Sequence, residues 1–375
     1  MANVSKLLYT TAADTCFLEN LRTDDTGLKE ARKKIRDHLR QEFTQASRSV
    51  FGRVIQPKFF TQGSHAYRTL NDPAWTPPQQ KDLDDGCYLP LFFVRGARPS
   101  QAASMFFDFV DTALISLARQ EGWQHVKKPT CVRLVVAPDA HVDVPLYAIP
   151  DAEFQLLQKR VATQAAQDAA KVKPDIWEAL PSDAVLLAHR DEDWIVSDPR
   201  KIHAWFISAV ELYGERLRRI CRYLKAWRDH HRPHLDGASS VLLMACVWMV
   251  FEETRRAFLP DREDELLMSV AKRLPALLNG PVPNPACKEE DLNRLSREDR
   301  EVVVEKANEL RVRIEEVITN CSVQQRAVDL MTIVFGERLP DRPDLVSITE
   351  VAKVTILSYP RKEVPAPVVG RSQSG

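Results

Sequence analysis

Nothing in this 375-residue sequence looks like a covalent or metal staple: its seven cysteines, at 16, 87, 131, 221, 246, 287 and 321, contain no Cys-x-x-Cys pair. Neither a zinc knuckle nor a disulfide framework is indicated, and the pattern suits a reducing, cytoplasmic setting. Long hydrophobic runs are also missing. The longest, Val241 to Phe251, has eleven residues, well short of the roughly 18 to 20 a bilayer requires, so it reads as a buried helix and no membrane association is expected. Met1 to Glu19 lacks a sustained apolar run with basic flank and small-residue cleavage site, so no signal peptide is expected. Net charge is absent, with 52 basic and 52 acidic side chains, which disfavours long-range attraction to nucleic acid. No internal repeat is found. What remains is an ordinary globular composition, 44% hydrophobic, in a chain long enough for two domains with substantial cores.

Within that background the carboxylates stand out. Asp82 and Asp84 flank Leu83; in a strand, residues i and i+2 share a face, so both carboxylates lean the same way while Leu83 faces the core. The following Tyr88 to Val94 is apolar enough to continue a buried strand, with a bulge or break expected at Gly86 or Pro90. Farther on, Val142, Val144 and Leu146 alternate with His141, Asp143 and Pro145, giving one apolar face and placing Asp143 on the other. An acid between two valines is costly in a strand unless paired or metal-bound. Three acids converging across neighbouring strands match magnesium chemistry, in which hard oxygen ligands hold one or two ions on substrate phosphates. Taken alone, Asp-x-Asp is equally a common solvated loop pair. Ahead of the pair, Phe59-Phe60 ends an apolar strand and Gln62-Gly63-Ser64 follows; the glycine lets backbone amides and the Ser64 hydroxyl approach a phosphate. Gly-x-Ser-x-Gly is absent, so a hydrolase nucleophile is not indicated.

Three segments together carry a resemblance: Gln62-Gly63-Ser64-His65-Ala66-Tyr67-Arg68-Thr69-Leu70, Asp82-Leu83-Asp84-Asp85-Gly86-Cys87-Tyr88-Leu89-Pro90, and His141-Val142-Asp143-Val144-Pro145-Leu146-Tyr147-Ala148-Ile149-Pro150. With Trp194 to Phe206 and Leu224-Lys225-Ala226-Trp227 through Ser239-Ser240, the sequence is similar to the bacterial cGAS/DncV-like nucleotidyltransferases over most of its length. The resemblance implies an α+β fold, a polymerase-β-like core of mixed sheet and helices joined to a helical C-terminal domain, with nucleotides in the cleft. It also implies two Mg2+ ions, ATP and GTP as substrates, and a cyclic dinucleotide product of the 3′,3′-cyclic GMP-AMP type. That product would act on a downstream effector in antiphage (CBASS) defence. By position, Asp82, Asp84 and Asp143 match metal ligands, and Gln62, Gly63, Ser64, Tyr67, Arg133, Lys225 and Ser239 match nucleotide contacts, with Asp291 a weaker match. The proline-rich stretch from Asn71 to Lys81 departs from the family pattern. A terminal Gly375 is compatible with the family trait of conjugation by a ubiquitin-transfer-like partner.

Each of these residues has a plainer reading. Arg133, on a strand expected at Thr130 to Val136, alternates with Val132 and Leu134 and could face solvent. Lys225 lies on a periodic helix and could be a solvated flank; Tyr67 could be core or a stacking platform. His230, His231 and His234 read as surface or helix-capping groups rather than ligands. Lys33, Lys34, Arg36 and Arg40 read as the solvated face of an amphipathic helix bearing Leu28, Ile35, Leu39 and Phe43. The expected architecture is a catalytic core over 1–150 with helices at Gly27 to Ser47 and Ser104 to Arg119, a helical domain over 151–358, and a tail over 359–375. In the second domain a flexible acidic patch at Arg190 to Asp193 precedes one long helix from Ile202 to Asp229. Helices follow at Ser239 to Phe258, Asp264 to Leu278, Ser296 to Thr319 and Gln324 to Phe335, with Ser296 capping. Two rival functions share these residues: a transferase adding one nucleotide to an RNA end or small-molecule hydroxyl, and a non-catalytic nucleotide-binding scaffold.

Overall fold

The computed structural model describes residues 1–12, 15–52, 54–90, 99–149, 185–191, 193–232, 234–255 and 258–349. The chain opens with β1 (Ala2–Asn3), α1 (Ser5–Leu8), α2 (Phe17–Asn20) and the long α3 (Thr26–Phe51). Leu28, Ala31, Ile35, Leu39 and Phe43 recur at spacings of three and four on α3 and are all buried, the stripe that seats a helix on a sheet. Next come β2 (Lys58–Gln62), the single turn α4 (Gly63–Ala66), β3 (Lys81–Pro90), α5 (Pro99–Glu121), β4 (Gln124–Lys127), β5 (Cys131–Ala137) and β6 (Ala140–Ile149). The hairpin β7 (Leu186–His189) and β8 (Asp193–Val196) completes one seven-stranded sheet, ordered β2-β3-β6-β5-β4, with β7 on β6 and β8 on β7.

Among the described strands of this sheet, only β3 and β6 run parallel. Their register pairs Asp82 with His141 and Asp84 with Asp143, so alternation hands one face of both strands to the core and the other to the site. Leu83, Cys87, Leu89, Val142, Val144 and Leu146 pack under α3 and α5 against Ile35, Phe43, Phe106 and Val110. Burial of each such side chain is worth about 1.5–3 kcal/mol. Every residue of β6 is buried, because the central strand is covered on both faces rather than one.

The helical part comprises α6 (Pro199–Tyr213), α7 (Glu215–His230), α8 (Ser240–Thr254), α9 (Glu263–Asn279), the two-stranded β9 (Pro283–Asn284) and β10 (Cys287–Asp291), α10 (Arg297–Glu315) and α11 (Gln324–Phe335), and ends at β11 (Ser347–Ile348). Ser296 caps α10 by accepting from the Asp299 amide at 3.0 Å. A second hydrophobic cluster joins these helices, and Ala2, Val4, Leu7, Leu8 and Phe17 belong to it; β1 pairs with β11.

Several expectations need correction. The chain after 151 is not wholly helical, since β7 and β8 extend the seven-stranded sheet, and the N-terminal segment packs with the helical part; residues therefore cross the expected division at 150 in both directions. The expected long helix is two, broken at Gly214, whose φ of 79° lies in the left-handed region. No bulge interrupts β3 at Gly86: the register to β6 holds from Lys81 to Pro90. Gly86 is there because a Cβ would lie 2.8 Å from the Tyr88 ring and 3.0 Å from that of Tyr147. At the start of the acidic patch Arg190 is tethered, donating to both Asp111 oxygens at 3.0 and 3.1 Å. Arg36 is not part of a solvated face, since it grips buried Asp85. The tail and Gly375 lie outside the described residues.

Candidate active site

Asp82 and Asp84 from β3, with His141 and Asp143 from β6, form a two-by-two patch on the sheet face turned away from α3 and α5. Gly63 is what lets the chain pass over this patch. Its φ is +67°, and a Cβ there would sit 2.0 Å from Asp84 Oδ2, so no side chain fits without displacing that carboxylate. Ser64 then meets α7: the buried Lys225 Nζ donates to Ser64 Oγ and to the Thr69 carbonyl, each at 2.7 Å. A cavity of about 340 Å³ opens here, lined among others by Ser64, Asp82, Arg133, His141, Lys225 and Arg228. A larger, arginine-rich cavity of about 450 Å³, lined by Arg22, Lys29, Arg32, Arg68 and Arg222, does not include the carboxylates.

The electrostatics of the patch are those of a site awaiting positive charge. Burial, reinforced by the carboxylates of Asp82 and Asp143, pushes the Asp84 carboxyl well above its ordinary range, and Arg133 and Lys225 offset only part of that. Burial also pushes the Lys225 ammonium down to about 7, with Arg228 adding to the effect. Arg133 holds Asp143 in a bidentate pair, Nε to Oδ1 at 2.7 Å and Nη2 to Oδ2 at 2.8 Å, leaving each oxygen a further lone pair.

Among the described residues, one group of side chains could share a metal ion: Asp82, His141 and Asp143 present ligand atoms all within 4.8 Å of one another. Asp82 Oδ1 and His141 Nε2 are buried without a hydrogen-bond partner, although they stand only 3.1 Å apart. Orphaned buried polar atoms are costly, and a hard divalent cation would satisfy them while relieving the repulsion on Asp84. The donor set therefore fits a divalent cation, its carboxylate oxygens being ligands of the kind magnesium takes.

Of the sequence-derived residues, the structure brings Gly63, Ser64, Asp82, Asp84, Arg133, Asp143 and Lys225 to one place. Gln62 lies beside them, its Nε2 donating to the Tyr147 hydroxyl at 3.0 Å and its Oε1 buried without a partner. Tyr67 is core: it is buried between His203 and Phe206. Ser239 caps α8 through the Leu242 amide at 3.2 Å, and its neighbour Ser240 lines the cavity. Asp291 is elsewhere, accepting from the Val282 and Asn293 amides at 2.8 Å each. Sequence reasoning missed His141 and Gln80. His141 was findable, because it sits two residues before Asp143 and so shares its face.

Comparisons with known proteins agree on one family. Residues 57–147 match the cyclic GMP-AMP synthase DncV-like nucleotidyltransferase domain and residues 214–348 the cyclic GMP-AMP synthase C-terminal domain. A cyclic GMP-AMP synthase of Vibrio cholerae is 36% identical over 63% of this chain and 56% of its own length. One from Escherichia coli is 32% identical over 78% of this chain and 70% of its own. The chain thus spans little more than half the length of the first of these relatives. The crystal structure of Vibrio cholerae DncV cyclic AMP-GMP synthase superposes with a TM-score of 0.77 at 26% identity, covering 93% of this chain and all of that one. Its complex with the linear intermediate 5′-pppA(3′,5′)pG gives 0.75 at 27% identity, over 93% of this chain and 99% of that one.

Proposed function

The chain belongs to the DncV-like nucleotidyltransferases, and from that premise we propose that it joins two purine nucleoside triphosphates, ATP and GTP, into a cyclic dinucleotide of the 3′,3′-cyclic GMP-AMP type. The observation that carries this reading is the β3–β6 register, which sets Asp82, Asp84 and Asp143 on one face beside Ser64 and Lys225.

Asp82, Asp84 and Asp143 would hold Mg2+, two ions in all, which when bound neutralises phosphate charge and lowers the barrier to losing the acceptor hydroxyl proton. Ser64 and Lys225 would grip the donor triphosphate, the former as a directed hydrogen-bond partner and the latter as a buried charge. Arg133 keeps the Asp143 carboxylate fixed on the acceptor side. The acceptor 3′-oxygen forms a bond to the donor α-phosphorus, the bond to pyrophosphate breaks, and the hydroxyl proton passes to solvent water. The linear dinucleotide keeps a 5′-triphosphate, so turning over in the cavity presents it as the next donor, and a second in-line attack closes the ring with release of a second pyrophosphate. Holding reacting atoms in line is the main service of such a site. A role in antiphage signalling through an effector, and conjugation at Gly375, are carried by family resemblance alone.

Labelled ATP and GTP test the reading. The expected product is a phosphatase-resistant dinucleotide, absent from a folded Asp82→Ala/Asp84→Ala double variant. Retained synthesis in that variant would refute the metal-site assignment.

A further inference from the structure

The fourth corner of the carboxylate patch is an imidazole, and the hydrogen bonds behind it fix its tautomer. Gln80 Nε2 donates to the Pro138 carbonyl at 3.0 Å. A carbonyl can only accept, so the amide nitrogen must point that way and Gln80 Oε1 must face His141. Oε1 lies 3.0 Å from His141 Nδ1, and since Oε1 can only accept, Nδ1 carries the proton. In the neutral imidazole Nε2 is then the lone-pair nitrogen. His141 is 5% exposed, and Nε2 has no hydrogen-bond partner. It lies 3.1 Å from Asp82 Oδ1, which is equally unpartnered. Two lone pairs at that separation repel unless something positive lies between them. Orienting an imidazole through its distal N–H to an amide oxygen is how proteins prepare a histidine to ligate a metal.

We propose that His141 Nε2 is a direct ligand of the divalent cation, adding one nitrogen to the oxygen donors of Asp82 and Asp143, with Gln80 as the residue that positions it. The parallel register of β3 and β6 makes this possible, because it sets His141 opposite Asp82 and two residues from Asp143 on the same face. The arrangement rests on the metal-site reading above and sharpens it: one nitrogen among oxygens tilts the site toward Mn2+ relative to Mg2+, since imidazole suits transition metals better than it suits the harder ion.

Mn2+ added to the full-length protein without nucleotide tests this by pulsed electron paramagnetic resonance. The expected spectrum shows modulation from a directly bound imidazole nitrogen, which His141→Ala abolishes. In that variant Mn2+ affinity falls about tenfold and the preference for Mn2+ over Mg2+ narrows, whereas a merely structural role would weaken both ions alike. The wild-type spectrum decides the matter even if the variant fails to fold. Mn2+ bound with no nitrogen modulation would overturn the assignment of His141 while leaving the carboxylate site intact; no Mn2+ binding at all would overturn both.

Discussion

A methyl group at Gly63 would sit 2.0 Å from Asp84 Oδ2 on a backbone whose φ is +67°. Gly63→Ala is therefore expected to cost about 1–2 kcal/mol in backbone strain alone and to swing Asp84 out of the patch. Thermal melts and cation titration should show a modest loss of stability beside a severe loss of metal affinity. Lys225 poses the opposite balance. Its ammonium is depressed from 10.5 to about 7, so between those values the folded chain binds fewer protons than the unfolded one, and this group makes stability rise with pH across that window. The stability of Lys225→Met relative to wild type should accordingly be highest near pH 6 and fall toward pH 10. Its affinity for a nucleoside triphosphate should fall about 10- to 100-fold, as expected for a lost charge-assisted contact. Melting curves and calorimetric titration across that range check both signs. The carboxylates were legible because strand alternation predicts where they point. The burial of Lys225 was not, because it depends on the distant residues Ser64 and Thr69 closing over it.

Among the elements, α3 is bonded to β3 as well as packed on it. Arg36 Nε donates to Asp85 Oδ2 at 2.6 Å, and Thr61 Oγ1 on β2 donates to Asp85 Oδ1 at 2.8 Å. Asp85 is 1% exposed on the face opposite its neighbour Asp84, so this pair steadies the strand that carries the site. Arg36→Ala strands a buried carboxylate and should cost about 3 kcal/mol, the low end for a broken buried pair because Arg36 is partly exposed. Replacing both members, Arg36→Met with Asp85→Leu, should recover much of that in denaturant titrations. Sequence periodicity located the helices well: α3, α5, α9 and α11 are long amphipathic segments whose buried faces repeat. It failed at β7 and β8, four residues each, too short for alternation to register. It also failed at Gly214, where a helical pattern continues through a residue whose φ of 79° stops the helix.

In the whole molecule the seven-stranded sheet and the helical part meet along α7 and the stretch from Tyr67 to Gln79. Arg218 donates to the Tyr67 carbonyl at 2.9 Å, Arg222 to Asn71 Oδ1 at 2.8 Å, and Gln79 to the Asp229 carbonyl at 2.7 Å. These bonds hold Lys225 over Ser64 and so shape the cavity beside the carboxylates. The division into a sheet-bearing core and a helical part was legible from composition and pattern, but the return of the N-terminus to the helical core depends on Ala2, Val4 and Leu7 finding partners more than two hundred residues away. Mass spectrometry of products formed from an equimolar mixture of the four ribonucleoside triphosphates with Mg2+ tests the central claim most directly. The expected result is a cyclic dinucleotide containing adenosine and guanosine, accompanied by two pyrophosphates per ring. Only linear products, or nucleotide transferred to an added RNA end or small-molecule hydroxyl, would contradict it.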